Sequence, residues 1–151
     1  MDYIQDLRRA VGHAPVILTF AGGIVSDADG AILLQERSDG GWGLPGGALE
    51  FGETAASACT REFREETGLA VAPIRLLGVD SGAIQHYQNG DVAQCVVLFF
   101  ACRVVGGRLD AANAETAALR YFAPDALPKL FSPQHERALA HYLNGDVPFA
   151  D

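Results

Sequence analysis

Three glutamates in one short run, Glu62, Glu65 and Glu66, constrain this chain more than any other feature. They stand at i, i+3 and i+4, so on a helix they share one arc of roughly 100°. Like charges at that spacing repel, lowering helix stability by roughly 0.2–0.5 kcal/mol per pair. A helix that keeps them needs positive charge opposite, and a hard divalent cation, which takes oxygen ligands, is the simplest source. Thr54 suits an N-cap and Gly68 a C-terminal stop, which predicts a helix over 54–67. On it Ala56, Cys59 and Phe63 form an apolar stripe beside the carboxylates, with Ser57 and Arg64 towards solvent and the small Ala55 and Ala58 leaving room.

The other segments are strand-rich. Ile4, Leu7, Ala10 and Val11 recur at helical spacing between Asp2 and Gly12, predicting a short amphipathic helix over about 2–12. Val16–Val25 reads as a strand, with a bulge or a close backbone approach at Ala21-Gly22-Gly23. A tight turn at 27–30 leads to a second strand over 31–35, a polar loop over 36–41 and an irregular stretch over 42–47. Further strands are expected over 71–79, 92–105 and 119–122, with a polar loop over 80–91 whose Asn89-Gly90 is a turn signal. Pro124 to Pro128 reads as a single helical turn. Ser132-Pro133 then caps a last helix that faces Leu139 and Leu143 inward and stops at Gly145. One domain over residues 1–151 is expected, of α+β class.

Charge and cysteine usage narrow the function. A net charge of −8 argues against a nucleic-acid polymer or an anionic membrane as partner. It leaves a small phosphorylated substrate open, because bound metal inverts the local field. Cys59, Cys95 and Cys102 form no CxxC pair, which fits reduced thiols in a cytoplasmic protein. The apolar run Val92–Cys102 is too short to span a bilayer, and the charged N-terminus does not resemble a signal peptide.

Alone, Arg61-Glu62-Phe63-Arg64-Glu65-Glu66 would fit a solvated acidic face paired with its own arginines. The wider register selects otherwise. Gly47, five residues, Glu53, seven residues, then Arg61-Glu62 through Gly68-Leu69 resembles the Nudix box at every fixed position. Phe63 is a mild departure, larger than the aliphatic residue usual there. Leu44-Pro45-Gly46-Gly47 is similar to the family's usual entry into the box.

The resemblance implies a Nudix-type α/β/α sandwich with a mixed central sheet. It also implies Mg²⁺- or Mn²⁺-dependent hydrolysis of the pyrophosphate in a nucleoside diphosphate derivative, by water attack on phosphorus. Phosphoryl transfer of this kind depends on charge neutralisation and positioning. Carried over position by position, Glu62, Glu65 and Glu66 are the expected metal ligands, with the Gly47 carbonyl a further one. Arg61 is the expected orienting partner of Glu53, which supports the metal site and in some members has been proposed as base; Glu65 is counted with the catalytic groups too. The family often recruits one more carboxylate from a loop outside the box. Glu115 is the first candidate for that base or ligand, Asp110 the second, and Glu50 could lean into the site. A homodimer is expected because relatives commonly form one, and the N-terminal stripe would cover either the core or a second subunit.

Specificity lies outside the box. Trp42, Gly46 and Gly47 are candidate substrate contacts, as is Tyr87, 18 positions past Leu69, where some dinucleoside-polyphosphate members carry tyrosine. Phe20, Trp42, Tyr87, Phe99 and Phe131 are the aromatics available to stack a base, with Phe20 and Phe99 expected in the core. No proline marks an ADP-ribose member downstream. Dinucleoside polyphosphates, a non-catalytic nucleotide-binding role, or an isoprenoid or inositol diphosphate are the alternatives.

Overall fold

The computed structural model describes residues 2–151. Strand β1 (Val16–Ile24) runs parallel to β6 (Val92–Gly107) in unbroken register, from Val16 opposite Ala93 to Ile24 opposite Ala101. β4 (Gly46–Ala48) pairs antiparallel on the other edge of β1. β5 (Leu69–His86) pairs antiparallel with β6, and the short β8 (Phe149–Ala150) adds in parallel to β5. The order β4-β1-β6-β5-β8 is thus a mixed sheet. A second, antiparallel sheet orders β3 (Trp42–Gly43), β2 (Ile32–Arg37) and β7 (Thr116–Phe122) as β3-β2-β7.

Side-chain alternation splits the interior into two cores. Along β2, Ile32 and Leu34 enter one cluster with Leu18, Phe99, Ala138 and Leu139, while Leu33 enters the other with Ala58, Cys59 and Phe63. Helix α3 (Pro133–Asn144) covers the first core and α2 (Ala55–Thr67) the second, giving the expected α/β/α sandwich. Buried Asp80 of β5 ties down α3: Arg137 Nε donates to it at 2.6 Å and Gln134 Nε2 at 3.0 Å. Burial pushes the Asp80 carboxyl up, and Arg137 and Gln134 outweigh that push and hold it below the usual range. Helix α1 (Tyr3–Val11) is capped by Asp2, which accepts from Gln5 N–H at 3.1 Å; its Ile4 and Leu7 pack on the first core. No helix among the described residues is long and apolar enough to cross a membrane.

Several local expectations change. β1 has no bulge; its glycines serve close approach instead. A Cβ on Gly23 would lie 2.6 Å from Phe63 Cε2 and 2.8 Å from Cys102 Sγ, so only glycine lets α2 sit this near the sheet. β2 extends to Arg37 and takes Glu36 out of the expected loop, and the irregular stretch contains two short strands, β3 and β4. The polar loop expected over 80–91 is mostly β5, and the chain turns only at 87–90. In place of the helical turn expected over 124–128, a single hydrogen-bonded turn spans 123–126, closed by Ala126 N–H donating to Ala123 O. Ala56 is exposed and Ala58 buried, shifting the apolar stripe of α2, and Leu143 stands 39% exposed.

The Gly23 contact gives a direct check. Gly23→Ala should lower stability by about 1–3 kcal/mol through overpacking, read as a lower urea midpoint. An unchanged midpoint would mean that α2 does not depend on this close approach.

Candidate metal centre and active site

Capping decides where the glutamates point. Thr54 Oγ1 accepts the Ser57 N–H at 3.1 Å, and Ser57 Oγ accepts the Thr54 N–H at 3.1 Å. That reciprocal box sets the phase of α2, and Gly68 closes the other end by donating to Arg64 O. From this start Ala58, Cys59, Phe63, Glu66 and Thr67 turn into the core. The glutamate arc therefore divides. Glu66 is 3% exposed, the Glu62 side chain 12%, and the Glu65 side chain 58%.

Glu115 joins the inward pair. Carboxylate oxygens of Glu62, Glu66 and Glu115 all lie within 4.8 Å of one another. A small polar network holds the Glu115 segment there. Asn113 Nδ2 and Thr116 Oγ1 both donate to Glu66 O at 3.0 Å, Gln35 Nε2 donates to Thr116 Oγ1 at 2.8 Å, and Ser38 N–H donates to Glu115 O. Asp110 is spent elsewhere, accepting the Ala112 N–H within its own loop. Glu50 accepts the Tyr3 N–H at 2.9 Å and so fastens α1.

Arg61 organises the outer side. Its Nε and Nη2 grip Glu53 at 2.6 and 2.9 Å, Nη1 reaches Glu62 at 2.8 Å and Glu65 at 3.3 Å, and Nη2 also donates to Ala48 O. The expected Arg61–Glu53 partnership is present. It holds Glu53 below the usual carboxylate range. Glu66 behaves oppositely. Burial first, then the hydrogen bond and charge of Glu62, push it up to about 9. Among the described residues no arginine or lysine pairs with Glu66 or Glu115; Arg61 is shared by Glu53, Glu62 and Glu65.

These observations test whether a divalent ion fits. Two inward carboxylates repel in a desolvated pocket, and the third is close enough to share an ion. The backbone makes room as well. A Cβ at Gly47 would run into the Glu62 carboxylate, and Gly46 N–H donates to Glu66 Oε1 at 3.3 Å. An all-oxygen donor set of this kind suits Mg²⁺ or Mn²⁺.

Beside the cluster opens a cavity of about 130 Å³, lined by Gln35, Arg37, Ser38, Asp39, Glu66 and Glu115. Arg37 and Gln35 were not anticipated as site residues. The polar end Gln35-Glu36-Arg37 of an otherwise apolar strand, just before a glycine-rich turn, is the signal that could have found them. Arg37 lies over the Phe131 ring at 4.6 Å and bonds Asp39 at 3.1 Å.

The other aromatic candidates have their packing partners outside the carboxylate cluster. Trp42 packs edge-on against Phe122 at 4.9 Å, with Arg120 over it, and rests on the core. Tyr87 is 41% exposed at the β5–β6 turn; desolvation first, then Cys95, raises its hydroxyl pKa. Phe99 is core, as expected, and Phe20 is partly buried against it. His135 was not anticipated. Its Nδ1 accepts the Leu44 N–H at 3.0 Å and pins the entry to the box, and desolvation with Arg37 nearby pulls it down to about 4.

The family model described as NUDIX domain matches residues 19–142. Among curated proteins, the chain is 33% identical over 135 residues to a MutT-like protein of Streptomyces ambofaciens, covering 89% of this chain and 82% of that one. It is 38% identical over 123 residues to an ADP-ribose pyrophosphatase of Methanocaldococcus jannaschii, covering 79% and 69%. Its fold is similar to a solved Nudix hydrolase from Nitrosomonas europaea, with TM-score 0.71 at 23% identity over 87% of this chain and 91% of that one. With the box in register on α2 and the family model spanning most of the sequence, the chain belongs to the Nudix family, as one of its pyrophosphohydrolases.

Proposed function

We propose that this protein hydrolyses the pyrophosphate linkage of a nucleoside diphosphate derivative with Mg²⁺ or Mn²⁺ held by Glu62, Glu66 and Glu115. The observation that carries the reading is the convergence of those three carboxylates within 4.8 Å beside the cavity that Arg37 lines. Glu65 and the Gly47 carbonyl belong to the proposed ligand set, Glu65 from the solvent side. Bound there, the ion would polarise phosphoryl oxygens and lower the pKa of a bound water.

The chain's own groups do the rest. Arg37 offers a fixed positive charge to phosphate oxygens entering the cavity. Glu115, the exposed member of the cluster, is better placed than Glu53 to accept a proton through the carboxylate oxygen that does not hold the ion. Glu53, gripped by two nitrogens of Arg61, is a weak base and serves instead to fix Arg61 against Glu62. The relative from Methanocaldococcus jannaschii, named an ADP-ribose pyrophosphatase, supports a nucleotide-sugar type of substrate. Dinucleoside polyphosphates are the second arm to test. A cytoplasmic location belongs to the same reading, supported by three free cysteines. So does a homodimer, for which Ile74, Leu76 and Val105 leave exposed apolar surface.

Product analysis across nucleotide-sugars, dinucleoside polyphosphates and nucleoside triphosphates, with chelator controls, tests the reading. Mg²⁺-dependent release should fall by roughly 10²-fold or more in Glu66→Gln and by roughly 10–10³-fold in Glu115→Gln, with both variants folded. Full activity in both would refute the assignment. In sizing chromatography the protein should elute at twice the chain mass; elution as a monomer removes the dimer.

A further inference from the structure

A second cavity, of about 280 Å³, lies between α1 and the segment that joins β4 to α2. Tyr3, Ile17, Thr19, Phe51, Glu50 and Glu53 are among the residues that line it. It differs from the Arg37 cavity in carrying an aromatic pair and no basic side chain. No lysine or arginine lines it, and two carboxylates do, so it repels phosphate. Its aromatic pair is Tyr3 and Phe51, with ring centroids 6.5 Å apart and planes 36° from parallel. A planar ring inserted between two others needs a separation of about 7 Å, the long end of the range for aromatic pairs. Phe51 is 81% exposed, so little packing opposes the small rotation that would bring the rings parallel.

The cavity is joined to the carboxylate cluster by a single side chain. Ala48 and Glu53 belong to its wall, and Arg61 bonds both, through Nη2 to Ala48 O at 3.0 Å and through Nε to Glu53 at 2.6 Å. The same guanidinium reaches Glu62 through Nη1 at 2.8 Å. A molecule with a flat uncharged end in the cavity could extend its phosphates past Arg61 towards Glu62.

We infer that Tyr3 and Phe51 form an aromatic clamp for the nucleobase of the substrate, in the cavity that Arg61 links to the carboxylate cluster. The inference rests on the nucleotide-hydrolase reading and adds to it the seat of the base. Glu50 sharpens the match. Its Oε2 accepts the Tyr3 N–H, and its Oε1 has no hydrogen bond among the described residues, which favours a base presenting an amino or ring N–H donor. An isoprenoid tail would gain nothing from that carboxylate.

Nucleoside monophosphates test the clamp without any hydrolysis, because they lack the anhydride that the enzyme cleaves. In Phe51→Trp, AMP, GMP or UMP should quench the introduced indole's emission saturably, and ribose 5-phosphate should not. In Phe51→Ala, calorimetric affinity for the monophosphate that binds best should fall about tenfold or more, with an unchanged melting temperature. Absent quenching by all three nucleotides, or wild-type affinity in Phe51→Ala, would overturn the clamp. Should Phe51→Ala fail to fold, the emission of Phe51→Trp decides alone. A protein that binds the monophosphates in this way yet cleaves no diphosphate derivative would keep the clamp and refute the hydrolase reading.

Discussion

Glu66 is a carboxylate placed where a carboxylate should not be: 3% exposed, beside Glu62, and facing no basic side chain. Much of the local architecture exists to keep it there. The Thr54–Ser57 capping box phases the helix, and Gly23 lets that helix settle against β1 and β6. The Glu66 backbone carbonyl is held by Asn113 and Thr116, which also brings Glu115 up to the cluster. Without a cation the position is stabilised by a proton, since burial and Glu62 together disfavour the ionised form. So many contacts invested in an unfavourable charge support the proposal that a positive ion binds there.

Arg61 explains why the three box glutamates do not act alike. One guanidinium serves Glu53, Glu62 and Glu65, so the outer carboxylate is neutralised within the helix while Glu66 is left to something external. The two cavities that flank the cluster differ in their lining. On the Glu115 side, the neighbouring cavity combines Arg37 with Asp39, Glu66 and Glu115; on the Glu53 side, the larger cavity is aromatic and acidic, with no basic side chain.

The parts of this arrangement that were legible in the sequence are those set by local chemistry. Thr54 and Gly68 mark the ends of α2, and the i, i+3, i+4 spacing puts the glutamates on one arc. Which of them goes inward was not legible, because that depends on where Arg61 reaches and on the shift of the buried stripe from Ala56 to Ala58. β5 was read as half its length because 80–91 is polar and reads as loop; the strand runs on through it, absorbing Ser81-Gly82 by a register shift against β6. The two-residue β8 is too short for any pattern, and exists because Ser81 and Val79 exchange backbone bonds with Asp151. Arg37 was hidden by its neighbours. A charged residue before a glycine turn reads as loop until the pairing of β2 with β7 carries it to the cluster.

The central claim is that Glu66 awaits a divalent ion, and thermal stability against pH tests it most directly. Glu66 titrates near 4.5 when unfolded and about 9 when folded, so between those values the folded state binds the extra proton. Stability must then fall as pH rises through that window in metal-free protein. Between pH 7 and 9 the wild-type melting temperature should drop, Glu66→Gln should show little of that drop, and excess Mg²⁺ should raise and flatten the wild-type curve. A metal-free wild type that runs parallel to Glu66→Gln across pH 7–9, with no response to Mg²⁺, would contradict the account.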